Sequence, residues 1–289
     1  LQHQLLISTN PIVEISKDFY GNSVGNFNIL APHKEMIIES RMLVQVNHSL
    51  KIPEIDTAKV QDLEIEKSNN SSLLRLCYPE NITHQKKIDA FLKKINAANI
   101  PLIEIAQKCS EYIFKNFTYT KGITNIETTV DEILVHKKGV CQDFAHVLLQ
   151  FLRTVGIPSR YVSGYICPNA VGFRGEGTTH AWVEFYTPSQ GWLGIDPTNN
   201  IWTMDNHVKL SVGRDFNECT PVKGTFKGFA KQTLSVSVSI GYEDGRQFEE
   251  VNDVKLQKVS EDVQKQLDLL EYQLKLQLRQ QEQQQQQQQ

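Results

Sequence analysis

Cys141 stands in Gly139-Val140-Cys141-Gln142-Asp143-Phe144, at the start of a helical stretch. Unpaired backbone N–H groups and the positive end of a helix dipole favour the thiolate there, the form that attacks a carbonyl carbon. The same N–H groups can hold a developing oxyanion. The plainer assignment is a small core hydrophobe, since free cysteine is among the most buried residue types. Two more groups complete the chemistry. His180 opens His180-Ala181-Trp182-Val183-Glu184-Phe185-Tyr186, and Asp196 closes Trp192-Leu193-Gly194-Ile195-Asp196. If these runs form a hairpin with Tyr186 opposite Trp192, Trp182 falls opposite Asp196. His180 is then one diagonal step away on the same face, about 7 Å between backbones. An aspartate within reach of a histidine can fix its tautomer and stabilise the imidazolium, as a Cys-His-Asp triad requires. Each residue taken singly also has a structural reading, a satisfied strand histidine and a turn-capping aspartate before Pro197.

Cys141, Phe144, Ala145, Leu148 and Leu152 share one helical face, and Gly156 followed by Pro158 predicts the stop near Val155. Strand-like runs follow at 160–166, 180–186, 192–195 and 233–240. Upstream, Leu102, Ile105, Ala106, Cys109, Tyr112 and Ile113 recur at helical spacing behind Pro101. Helices followed by antiparallel strands predict an α+β fold rather than a βαβ repeat. Residues 1–80 read as a β-rich N-terminal domain, with strand-like runs at 12–15 and 42–46 and a first hairpin marked by Gly21-Asn22. The catalytic core is expected over 81–245. A Gln-rich C-terminal helix and tail take 246–289, where Leu256, Val259, Val263, Leu267, Leu270 and Leu274 step at helical spacing and Gln283–Gln289 is pure glutamine. That helix predicts self-association or packing against the body.

Composition narrows the alternatives. At 289 residues, 40% hydrophobic and 22% charged, the chain is an ordinary globular one. A formal net charge of −3 without a lysine or arginine block argues against nucleic acid. No run approaches the roughly 20 apolar residues of a bilayer span, so no membrane association and a cytoplasmic location are expected. The first residue is Leu1 rather than methionine, which leaves a preceding signal segment open. Five scattered cysteines predict free thiols rather than a disulfide framework. Cys-x-x-Cys, His-Glu-x-x-His and the calcium-loop spacing are all missing, so no metal and no cofactor is expected. His146 lies about 140° around the helix from Cys141 and is expected at a surface or interdomain contact. His207 beside Asn206 can line the cleft or be structural, and Cys167 and Cys219 are expected to be packing residues. The Gly-rich segment 172–177 before His180 is read equally as a lid or as a plain hairpin loop.

Taken together, Gly-Val-Cys-Gln-Asp-Phe-Ala-His around Cys141, Gly156-Ile157-Pro158-Ser159-Arg160-Tyr161-Val162-Ser163-Gly164-Tyr165, His-Ala-Trp-Val-Glu from His180 and Asp-Pro-Thr-Asn from Asp196 resemble the bacterial transglutaminase-like proteins. The resemblance extends upstream to Asp18-Phe19-Tyr20-Gly21-Asn22, similar to the β domain that often precedes this core. Downstream it runs through Asn206-His207 and Val212-Gly213-Arg214-Asp215 to Pro221-Val222-Lys223-Gly224. It implies a papain-like core in which a helix carries Cys141 against a sheet carrying His180 and Asp196. The implied activity is a cysteine protease or amidase that cleaves peptide or side-chain amides through a thioester, with hydrolysis favoured and a peptide or protein as substrate. A cross-linking transglutaminase and a catalytically idle binding module of the same fold are the alternatives. The calcium regulation of animal transglutaminases does not carry over.

Overall fold

The computed structural model describes residues 2–46, 56–124, 128–167, 172–175, 179–226, 233–242 and 247–254, the last stretch by its backbone course only. The predicted C-terminal helix and glutamine tail lie outside these residues. Two compact units are distinguished: Leu1–Thr220 with Ile240–Phe248, and Pro221–Ser239 with Glu249–Gln289. The expected boundary at 80/81 runs within the first.

The N-terminal strands β1 (Gln2–Ile7), β2 (Glu14–Lys17), β3 (Ser23–Asn26) and β4 (Ile38–Leu43) form two antiparallel pairs, β1 with β4 and β2 with β3. Beyond them the chain departs from the β-rich expectation. From Val60 it is helical, with a 3-10 turn (Val60–Leu63), α1 (Glu64–Asn69) and α2 (Ser71–Arg75). The side chain of Asn70 accepts the Ser72 and Leu73 N–H groups and starts α2. Leu63, Leu73 and Leu76 are buried by this short helical run.

Then come α3 (Gln85–Lys94), α4 (Leu102–Asn116), β5 (Thr118–Tyr119), α5 (Val130–His136), β6 (Lys138–Gly139) and α6 (Cys141–Thr154). A reciprocal cap fixes the start of α5. Thr129 Oγ1 accepts the Glu132 N–H, and the Glu132 carboxylate accepts the Thr129 N–H at 2.8 Å. After α6, Gly156 takes φ +82°. Its N–H bonds Arg153 O and that of Ile157 bonds Leu152 O, the paired bonds that close a helix C-terminus on glycine.

The main sheet is antiparallel with order β10-β9-β8-β7-β11, made of β7 (Ser159–Ile166), β8 (Thr179–Thr187), β9 (Gly191–Asp196), β10 (Ile201–Trp202) and β11 (His207–Gly213). Further on, β12 (Leu234–Gly241) and β13 (Gln247–Val254) pair as a ribbon. The fold is therefore α+β, a helical layer on an antiparallel sheet. One face of the sheet, with Tyr161, Ala181, Val183, Phe185, Leu193 and Ile195, shares a core with α4 and α6. On the other, Val162, Trp182 and Val212 pack with Tyr20 from the turn between β2 and β3.

In α6, Phe144, Ala145, Val147, Leu148, Leu149, Phe151 and Leu152 are all buried, so apolar side chains cover more of its circumference than one stripe. A helix buried nearly all round is a central one, here packed by α3, α4, α5, β7 and β8. At the sheet edge, the Asn22 carboxamide donates to Val212 O at 2.7 Å and accepts the Val212 N–H at 3.0 Å. Among the described residues no helix is long and apolar enough to cross a membrane.

Candidate active site

Cys141 is the first residue of α6, and the peptide leading into it is pinned from three sides. β5 and β6 pair in parallel, Thr118 with Lys138 and Tyr119 with Gly139, after Lys137 turns the chain with φ +52°. Asp143 Oδ2 then accepts the Val140 N–H at 2.7 Å and the Thr124 hydroxyl at 2.6 Å. A Cβ on Gly139 would stand 2.5 Å from that oxygen, so the approach requires glycine. Burial pushes the Asp143 carboxyl up, against the two hydrogen bonds that lower it. Phe144 N–H bonds Val140 O, and the N–H groups ahead of it in the helix have no acceptor within its ladder. Cys141 itself is partly exposed.

His180 is the second residue of β8 and Asp196 the last of β9. The ladder between these strands pairs Tyr186 with Trp192 and continues to Val183 with Ile195. This is the register expected from the sequence, and it places Trp182 and Asp196 next in line. His180 Nε2 donates to Asp196 Oδ2 at 2.9 Å, with both side chains buried. Burial opposes charge on the imidazole. The Asp196 carboxylate and the Cys141 sulfur outweigh it and push the His180 pKa up to about 10. Asp196 is likewise opposed by burial, yet His180 and then His207 hold it far below the usual carboxylate range.

Among the described residues no partner meets hydrogen-bond geometry at the buried His180 Nδ1. Beside that nitrogen lies Gly175, with φ +75°. A Cβ there would come within 3.2 Å of His180 Nδ1 and 3.3 Å of the Tyr119 hydroxyl.

Asp196 has more partners than the sequence indicated. Its Oδ1 accepts the Thr198 N–H at 2.8 Å, and its Oδ2 accepts Asn199 Nδ2 at 2.8 Å and His207 Nε2 at 3.5 Å. His207 arrives on β11, with its ring edge-on to Trp182 at 5.2 Å, and Trp182 in turn stacks near His180 at 6.3 Å. The ligand atoms of His180, Asp196 and His207 lie within 4.8 Å of one another, a spacing a metal ion can use. His207 Nδ1 has the Met204 N–H at 3.2 Å and Asn206 Oδ1 at 3.1 Å beside it, while its Nε2 faces Asp196, so the three side chains form one hydrogen-bonded cluster.

The remaining sequence candidates fall elsewhere. His146 is tucked against the Tyr161 ring and accepts the Phe216 N–H on Nε2 at 3.2 Å, a structural contact within its own unit rather than the surface or interdomain one expected. Cys219 is buried, and Cys167 is partly buried. Of the Gly-rich segment, the described residues 172–175 are held to the turn after Asp196 by hydrogen bonds between Arg174 and Asn199.

This arrangement agrees with the comparisons to known proteins. The family model of the Transglutaminase-like superfamily matches residues 89–197, a span that contains Cys141, His180 and Asp196. The uncharacterized protein ML0607 of Mycobacterium leprae is 31% identical over 228 residues, which cover 77% of this chain and 79% of that protein. The chain belongs to the transglutaminase-like superfamily. A shorter match, 32% over 108 residues and 35% of this chain, is to 16% of a protein-glutamine gamma-glutamyltransferase of Pseudomonas aeruginosa. In fold, the chain is similar to a candidate cysteine protease from Cytophaga hutchinsonii, with a TM-score of 0.54 at 18% identity, over 90% of this chain and 81% of that one.

Proposed function

We propose that this protein is a cysteine-dependent amide hydrolase in which Cys141 is the nucleophile, His180 the general acid and base, and Asp196 the group that orients His180. The observation that supports it most is the 2.9 Å bond from His180 Nε2 to the buried Asp196. It leaves His180 Nδ1, which has no hydrogen-bond partner among the described residues, as the ring nitrogen available to the Cys141 thiol. In this mechanism the proton of Cys141 rests on His180, and the sulfur attacks the carbonyl carbon of a peptide or side-chain amide. The S–C bond forms, the oxyanion is held by N–H groups at the start of α6, and the C–N bond breaks as His180 protonates the leaving nitrogen. Water, deprotonated by His180, then attacks the thioester, and the product acid and free thiol are released.

Hydrolysis is favoured over transfer because a transferase must hold an amine and keep water from the thioester. Water is present at roughly 55 M and wins unless an amine is strongly pre-positioned. The test offers a panel of glutamine-containing peptides with a labelled primary amine. Ammonia, cleaved peptide and incorporated amine are measured against a Cys141→Ala control. Ammonia or cleavage in excess of incorporation is expected. Incorporation exceeding hydrolysis at millimolar amine would make the protein a cross-linking enzyme, and no Cys141-dependent product on any amide would make it an idle binding module.

A further inference from the structure

The turn after Asp196 carries a side chain whose bonds run in two directions. Asn199 Nδ2 donates to Asp196 Oδ2 at 2.8 Å and also reaches Arg174 O at 3.3 Å, while its Oδ1 accepts the Arg174 N–H at 2.8 Å. The Arg174 side chain reinforces the same junction. Its Nη1 lies 3.5 Å from Thr198 O, and its guanidinium lies 4.2 Å from the ring centre of Phe114. The next residue is Gly175, whose backbone abuts His180 Nδ1 so closely that a Cβ would stand 3.2 Å from it. One carboxamide therefore joins the acid behind the imidazole to the backbone in front of it. A primary amide is suited to this, since it presents two donors and an acceptor in one plane and carries no charge to compete with Asp196.

We propose that Asn199 is a positioning residue. Its carboxamide locks Asp196 and the Arg174–Gly175 backbone to each other, so that the orientation of His180 and the space over its free nitrogen are set together. This rests on the reading of Cys141 as the nucleophile. Asn199 touches neither sulfur nor substrate and acts through Asp196 and the loop. Removing the amide releases both sides of the imidazole at once, and the thiol loses its proton acceptor.

The test follows alkylation of Cys141 by iodoacetamide between pH 6 and pH 8, mapped by mass spectrometry, in the wild type, Asn199→Leu and Asn199→Asp. Thermal melts of each confirm folding. Leucine keeps the shape and removes all three hydrogen bonds. The aspartate discriminates by pH. Two adjacent carboxyls cannot both ionise readily, so at pH 6 residue 199 retains its proton, donates to Asp196 and accepts from Arg174 as the amide does. As the pH rises it ionises, and the donor becomes a repelling charge.

At pH 6, Asn199→Leu should label at least tenfold more slowly than the wild type, and Asn199→Asp should stay within threefold of it. The ratio of the Asn199→Asp rate to the wild-type rate should then fall as pH rises to 8. Fast wild-type labelling that Asn199→Leu preserves within twofold overturns this inference alone, as does a pH-independent Asn199→Asp ratio, which decides the matter even where the leucine variant fails to fold. Slow labelling of Cys141 in the wild type overturns the parent reading and this inference with it.

Discussion

Gly164 gives the ring of Trp182 its space: a Cβ at residue 164 would stand 2.6 Å from Trp182 Cη2 and 2.1 Å from the Val208 carbonyl oxygen. Gly164 pairs with His180 on one side and Lys209 on the other, where the β7–β11 ladder shifts register before Ser211. Gly164→Ala must therefore move either a backbone strand or the indole that stacks near His180. The expected cost is about 1–3 kcal/mol, as for other overpacked cores, with turnover reduced alongside. Urea denaturation paired with an activity measurement checks both, and an alanine variant of wild-type stability would contradict the packing.

Cys141 should be the first thiol to react with iodoacetamide at neutral pH. Burial pushes the Cys77 thiol up to about 11 and that of Cys219 up to about 12, and it raises Cys109 and Cys167 as well. Peptide mapping after brief labelling reads the order directly. Faster modification of Cys77 or Cys219 would count against Cys141 as the nucleophile.

The His180 imidazole should titrate near pH 10, because Asp196 and Cys141 together overcome its burial. Cys141→Ala removes one of these two supports and leaves the other. The His180 pKa should therefore fall in that variant, which histidine ring NMR can follow. An unchanged titration would show that the sulfur does not act on the imidazole.

Among variants of the site, Cys141→Ala should lower turnover by at least about a thousandfold, and Asp196→Asn by a smaller factor, since an orienting group is secondary to the nucleophile. Asp196→Asn also leaves His180 and His207 facing an amide in place of a buried carboxylate. Single-turnover kinetics on the best peptide found gives the ranking. Full activity in Cys141→Ala would falsify the mechanism.

His146 predicts a distinct acid response. Burial holds its pKa down to about 4, with Asp215 opposing and Arg153 adding to the shift. A histidine at about 6.5 in the unfolded chain then binds a proton that the folded one refuses. Its stabilising contribution is present above pH 6.5 and is lost as pH falls from there toward 4, by up to about 3 kcal/mol. Melting temperatures across this range should decline less steeply in His146→Gln, and parallel slopes would remove the effect.

Why some of the site is legible in the sequence and some is not follows from distance along the chain. The hairpin that joins His180 to Asp196 is local, and its alternation and short turn dictate the register seen between Tyr186 and Trp192. Cys141 declares itself by its place at a helix start. His207 reaches the same carboxylate only because β11 pairs with β7 on the far side of β8, and nothing local specifies that pairing. Asn199 is three residues from Asp196, yet its second attachment, to Arg174, comes from a segment before β8. The helices over residues 60–75 were hidden by their brevity, since neither α1 nor α2 is long enough to display a full apolar period.

The carboxamide of Asn22 has a consequence for solubility. By bonding both the N–H and the carbonyl of Val212, it stands in for one residue of a sixth strand beside β11. An open rim of this kind invites a strand from another molecule, which in crowded solution is the first step toward edge-to-edge aggregation. The turn over residues 18–22 thus works as a bumper: a chain shortened past it would strip the outward N–H and carbonyl of Val212 of their partner and leave its rim adhesive.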